Sequence, residues 1–161
     1  MSQKQFTILV VCTGNSCRSP MAEGLLKERL RKHGINNVFV HSAGTHAPVG
    51  NPPTMNTQIV TFEAGIRIHD NRAVQITKEM ILQADLILVM EKVHKKIIVE
   101  MAPEAENKTY LFRQLINDSD EAEIADPIGK KLNEYRICFS EIRESLDLGF
   151  PVLIDKIKKG S

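Results

Sequence analysis

The sequence has no surplus of charge. Its 161 residues carry 21 lysines and arginines against 20 aspartates and glutamates, a net +1. That supplies neither the basic footprint of a nucleic-acid binder nor a polybasic membrane patch. Long apolar runs are missing too, and none nears the roughly 20 residues of a membrane span. Met1-Ser2-Gln3-Lys4-Gln5 opens the chain without the apolar core of a secretory signal. Cysteine is scarce and odd in number, three in all, so no disulfide framework is expected and a reducing, cytoplasmic location is. The five histidines, His33, His41, His46, His69 and His94, are scattered, and with Cys12 and Cys17 they make no zinc spacing. Each histidine reads as surface or structural, and neither a metal nor a cofactor is expected. Repeats, low-complexity tracts and interdomain linkers are absent as well. One domain over residues 1–161 follows, large enough to bury roughly 68–70% of its unfolded surface.

What is present concentrates near the N-terminus. An apolar, β-branched run, Phe6-Thr7-Ile8-Leu9-Val10-Val11, leads into Cys12-Thr13-Gly14-Asn15-Ser16-Cys17-Arg18-Ser19, and Pro20 then opens a helical pattern. A thiol at a strand end and an arginine at a helix mouth, five residues between them, frame a tight cradle. Backbone N–H groups and the helix start can converge there on a phosphate or another tetrahedral oxyanion. The same two influences, helix and guanidinium, are expected to favour the Cys12 thiolate. Arg18 offers a planar fork for two phosphoryl oxygens. Gly14 and Asn15 suit left-handed or closely approached backbone. The Ser19 hydroxyl is placed either to cap the helix or to hydrogen-bond the sulfur. Together these residue types can split a phosphate ester through a phosphocysteine.

Further on, Met21, Ala22, Leu25, Leu26 and Leu30 recur at helical spacing and Gly34 stops them, so residues 19–33 read as helix. Val38-Phe39-Val40 reads as a second strand, with His41 to Thr45 as a loop on the same rim as the cradle. Met55, Ile59 and Phe62 mark a helix closed by Gly65. Residues 66–75 read as mostly loop, and Thr77 caps a short helix through Leu82. Asp85 to Met90 is a buried strand, Val93 to Met101 a helix ending before Pro103, and Thr109 to Phe112 a fourth strand. A long helix carries Leu132, Tyr135, Phe139, Ile142 and Leu146, and Gly149 and Pro151 are expected to break it. Cys138 on it reads as core, and residues 158–161 as a loose tail. Strand and helix alternate throughout, which predicts an α/β fold: a three-layer, doubly wound parallel sheet with helices on both faces. Ligands bind such sheets at the carboxyl ends of strands.

A phosphocysteine route also needs a carboxyl group that gives and later takes a proton. Asp126, before Pro127, is a candidate, and on the residues alone Asp118, Asp120, Glu121 and Glu123 stand beside it.

The stretch Cys12 to Glu23 resembles the phosphate loop of the low-molecular-weight protein tyrosine phosphatases of bacterial type. The resemblance continues through Ser42-Ala43-Gly44-Thr45, Leu88-Val89-Met90-Glu91-Lys92 and Asp126-Pro127, in the family's order over nearly the whole chain. It implies four strands in the order 2-1-3-4, Cys12 as nucleophile, Arg18 as phosphate clamp and Asp126 as general acid and base. Thr13, Gly14, Asn15, Ser16, Cys17 and Ser19 then bind the phosphoryl group, with Asn15, Ser19 and Ser42 networked to fix the loop. In that family the second thiol, here Cys17, can form a reversible disulfide with the nucleophile. The partners implied are a phosphorylated protein and inorganic phosphate or sulfate in the loop, with no nucleic acid or membrane, on a monomer or weak dimer. Phosphotyrosine is the expected substrate. Ser16, Ile128-Gly129 and a 46–49 loop without aromatics depart from the tyrosine-specific pattern and make phosphoarginine the alternative. Thioredoxin-coupled arsenate reductases resemble the same loop, but Leu82 to Lys92 holds none of the relay cysteines they need.

Overall fold

The first apolar run becomes strand β1 (Phe6–Cys12), and its side chains alternate between two covered faces. In the computed structural model, which describes residues 4–160, it is joined by β2 (Val38–Gly44), β3 (Leu86–Val89) and β4 (Thr109–Leu111). The order is β2-β1-β3-β4 and every pairing is parallel, in line with the expected topology. Cys12 lies opposite Gly44, and Val11 lies opposite both Ala43 and Val89. The carboxyl ends of β1, β2 and β3 therefore share one rim. Succeeding segments leave β1 toward opposite sides of the sheet, so that rim contains the switch point at which such folds bind ligands.

Ile8 and Val10 face a core made with α1 (Arg18–Lys32), α2 (Met55–Glu63) and α5 (Leu132–Gly160), through Met21, Leu26, Val60, Phe139 and Ile142. Leu9 and Val11 face a second core under α3 (Lys78–Gln83) and α4 (Lys92–Met101), through Ile81 and Ile98. Thr77 accepts a hydrogen bond from the Met80 N–H and so caps α3, as its sequence suggests.

Three expectations fail. His41 to Gly44 is strand rather than loop, because β2 pairs with β1 as far as Cys12. The last helix does not break: α5 runs through Gly149 and Pro151 to Gly160. Pro151 removes one rung of the helical ladder, but Leu146, Leu153 and Ile157 on either side of it are buried in the core. Gly149 is a packing position, since a Cβ there would stand 2.4 Å from Leu115 Cβ and 2.6 Å from its carbonyl. The expected tail is helix over 158–160, and Ser161 lies outside the described residues.

Candidate active site

Five residues cannot turn from β1 into α1 without one unusual backbone conformation, and Asn15 supplies it with φ +53°. Its side chain then organises the loop. Asn15 Oδ1 accepts from the Val74 N–H at 2.9 Å, which fixes the amide so that Nδ2 donates to Ser19 Oγ at 2.8 Å and to Ser42 Oγ at 2.9 Å. With its oxygen accepting from Asn15, the Ser19 hydroxyl has its own hydrogen available for a Cys12 thiolate, whose Sγ is 3.0 Å away. The Asn15 N–H adds a second donor to the sulfur at 3.3 Å. Of the two roles open to Ser19, the structure shows the bond to sulfur, while α1 begins after Cys17 with no side-chain cap. Ser42 passes its hydrogen to Glu23 Oε1 at 2.5 Å, and Lys27 holds the other Glu23 oxygen at 2.6 Å. The sulfur therefore sits in a hydrogen-bond network that reaches outside the loop to Val74, Ser42, Glu23 and Lys27.

The strand ends hold the loop from behind. Thr45 N–H donates to the Cys12 carbonyl at 3.0 Å, His46 N–H to the Thr13 carbonyl at 2.8 Å and Thr54 N–H to the Ser16 carbonyl at 3.1 Å. Gly44 makes this close approach feasible, since a Cβ there would fall 2.5 Å from the Thr13 carbonyl oxygen. Ser16 turns its hydroxyl onto the Gly14 carbonyl at 3.0 Å. Cys17 is buried, 3.6 Å from Thr54 Oγ1, and burial pushes its thiol up against the opposing hydroxyls of Thr57 and Thr54. Cys138 is core, as expected, with its thiol pushed up to about 12 by burial. All three cysteines are free.

Arg18 is 1% exposed, an extreme position for a guanidinium. Its NH1 donates to Glu91 Oε2 at 2.5 Å and to the Ile124 carbonyl at 2.7 Å. Its NH2 donates to Thr13 Oγ1 at 3.4 Å and stands 3.6 Å from Asp126 Oδ2. Burial opposes its charge, but Cys12, Glu91 and Asp126 outweigh that and hold its pKa above the ordinary value. Its Nε is a buried donor without an acceptor among the described residues. Nε and the remaining NH2 hydrogen form one edge of the guanidinium, which suits two phosphoryl oxygens.

Asp126 reaches this edge from the segment after β4. Ile124 is buried there, with its N–H on the Met90 carbonyl at 3.0 Å, and Glu123 accepts the Lys92 N–H at the start of α4 at 2.6 Å. Asp126 itself stays 35% exposed, with Oδ1 accepting from the Ile128 N–H at 3.1 Å. Of the five carboxylates weighed from sequence, it alone among the described residues pairs with Arg18. Three of the others serve elsewhere: Glu121 and Glu123 bind Lys92, and Asp120 closes a turn onto Ala122.

Two residues of the site escape sequence reasoning. Glu91 is the second anchor of Arg18, and His94, expected to be one of several scattered histidines, is fully buried beneath the loop. Its Nδ1 accepts from the Glu91 N–H at 3.0 Å and its Nε2 lies 2.9 Å from Thr13 Oγ1. The signal available was the Glu-x-x-His spacing at a helix start, where N-cap and N3 residues meet. No group of three or more His, Cys, Asp or Glu among the described residues is arranged to hold a metal ion.

Comparison with known proteins follows this geometry. The model of the family described as low molecular weight phosphotyrosine protein phosphatase matches residues 7–160. A protein-arginine-phosphatase of Geobacillus stearothermophilus is 39% identical over 142 residues, 88% of this chain and 92% of the relative. The crystal structure of the Erwinia amylovora tyrosine phosphatase AmsI superposes with a TM-score of 0.81 at 36% identity, over 91% of each chain. The tyrosine phosphatase Wzb of Escherichia coli K30, solved in complex with sulphate, gives a TM-score of 0.79 at 32% identity, over 91% of this chain and 97% of that one.

Proposed function

The chain belongs to the low molecular weight phosphotyrosine protein phosphatase family, and on that footing we propose that it hydrolyses phosphorylated side chains through a phosphocysteine, with Cys12 as nucleophile, Arg18 as clamp and Asp126 as acid and base. The observation that carries this is a sulfur that accepts from the Asn15 N–H and lies 3.0 Å from the Ser19 hydroxyl, within a loop closed by an arginine whose buried Nε has no acceptor among the described residues.

The free edge of Arg18 and the loop N–H groups bind the equatorial phosphoryl oxygens, where charge is held as bonds change. Cys12 Sγ forms the new bond to phosphorus while the bond to the leaving group breaks, and Asp126 gives that group a proton. Asp126 then takes a proton from water, whose oxygen attacks phosphorus and releases Cys12 and inorganic phosphate. The Ser19 hydrogen supports the sulfur each time it carries charge. Thr13, Gly14, Asn15, Ser16, Cys17 and Ser19 form the wall of this cradle, and inorganic phosphate or sulfate fits it as product or mimic. The catalytic set lies within one chain, so a monomer suffices. Three free cysteines, one of them the nucleophile, fit a reducing compartment. No helix among the described residues is long and apolar enough to cross a membrane.

The side chain served is phosphotyrosine in this reading. A second reading, phosphoarginine, is favoured by the small buried Ser16 and by Ile128, which is 54% exposed where an aromatic ring would wall a phenyl group. Initial rates on an aryl phosphate, a phosphotyrosyl peptide and a phosphoarginyl protein separate them. The peptide is expected to be the faster protein substrate, and faster release from phosphoarginine reverses the assignment. Cys12→Ser is expected to abolish every rate. Arsenate with thioredoxin is expected to give no turnover, since the 82–92 segment lacks cysteine and Cys138 is buried.

A further inference from the structure

We infer that His94 is a positioning residue for the phosphate clamp, acting through the Thr13 hydroxyl on the NH2 group of Arg18. The inference rests on the phosphatase reading above and adds a residue to it.

Packing alone does not account for His94. It is completely buried at the third position of α4, where an apolar side chain would fill the space without needing partners. Instead, both ring nitrogens are engaged, and both partners belong to the site. The Glu91 N–H donates to Nδ1, so in the neutral ring the hydrogen must reside on Nε2. Thr13 Oγ1, 2.9 Å from Nε2, is then the acceptor. That bond removes the rotational freedom of the hydroxyl and presents its other lone pair to Arg18 NH2 at 3.4 Å.

The consequence is a guanidinium held from two sides. Glu91 takes NH1 with its carboxylate, and through its own N–H it orients the ring that fixes the acceptor for NH2. A planar group anchored at both terminal nitrogens cannot swivel, so its free edge keeps one direction toward the phosphoryl oxygens. Burial and the Arg18 charge also push the His94 pKa down to about 4, which keeps the ring neutral, and the Glu91 N–H on Nδ1 then selects the tautomer this arrangement needs.

The test is a double-mutant cycle on kcat for an aryl phosphate, with thermal unfolding as a control for folding. Wild type and Cys12→Ser come first: turnover that does not depend on Cys12 removes the phosphatase reading itself. His94→Asn retains an acceptor for the Glu91 N–H but is too short for Thr13, and Thr13→Val removes the hydroxyl with little change of shape. Each is expected to lower kcat about tenfold, the effect of one hydrogen bond to a charged group. The double variant is expected to lose no more than either single one, and Thr13→Ser to recover most of the Thr13→Val loss. Losses that multiply to about a hundredfold, or a Thr13→Val enzyme with wild-type kcat, overturn the inference while leaving the phosphatase reading intact. If His94→Asn does not fold, equal kcat for Thr13→Val and Thr13→Ser overturns the inference by itself.

Discussion

Asn15 shows how much one residue carries here. Its backbone takes the left-handed turn that closes the cradle, and its amide spends every polar atom on Val74, Ser19 and Ser42. Asp126 is tied down less, with one bond to the Ile128 N–H and a looser approach to Arg18, which suits the acid and base role proposed for it. Asp126→Ala is expected to cut kcat by about 10²–10⁴ with KM little changed, and unchanged kcat on an aryl phosphate removes Asp126 from the chemistry. His94 makes a second prediction at this scale. Its ring faces Arg18, Asp126, Glu123, His46 and Glu91, and burial first, then Arg18, lower its pKa from 6.5 to about 4. A neutral ring preferred by the native state stabilises it fully above pH 6.5, and that contribution drains away as pH falls toward 4. The loss is about 3 kcal/mol over that interval. Wild type is expected to lose more stability between pH 6.5 and 4 than His94→Gln does, as read by urea unfolding, and equal losses contradict it.

Among the elements, α5 departs furthest from what local propensity predicts. Glycine and proline within three residues of each other weaken a helix by about 1 and 3 kcal/mol respectively, yet α5 continues past both because tertiary burial of Leu146, Leu153 and Ile157 outweighs them. Propensity and packing then disagree in sign about Gly149→Ala. Propensity alone predicts a gain of about 1 kcal/mol. The Leu115 backbone, 2.6 Å from the added Cβ, predicts instead a loss of about 1–3 kcal/mol from overpacking. A lowered thermal midpoint is the expected result, and a raised one shows that α5 can shift off Leu115. At the other end of the fold, β2 outruns its apolar run for a related reason. His41 to Gly44 gains strand partners from β1 and closes the loop from behind with a glycine that lets two backbones meet.

At the scale of the molecule, one sheet rim gathers the residues of the candidate site. Cys12 ends β1, Thr45 and His46 follow β2, Glu91 and His94 follow β3, and Asp126 arrives from the segment after β4. The two cores beneath keep that rim rigid, and the bound oxyanion is expected to act on the whole fold by mass action. Inorganic phosphate at about 100 times its dissociation constant should add about 2.7 kcal/mol to unfolding, or roughly 5–11 °C in the thermal midpoint of a chain this size. Chloride at equal ionic strength should not, and a phosphate shift no larger than chloride's would mean the cradle does not hold phosphate.

The sequence by itself determined the parts of this protein that depend on neighbours along the chain. The cradle from Cys12 to Ser19 was legible because a tight anion loop must be contiguous, with its thiol, its left-handed residue and its arginine at fixed offsets. The alternation of strand and helix was legible because period-two and period-3.6 patterns are local. The choice of Asp126 over four nearby carboxylates rested on family resemblance, since residue chemistry cannot rank equals. Tertiary structure alone decided the rest. Glu91 and His94 meet the loop from the far side of β3, Glu23 reaches the sulfur through Ser42 and Asn15, and Gly149 persists in a helix because of Leu115. Each of these depends on distances between segments remote in sequence, and only packing sets those.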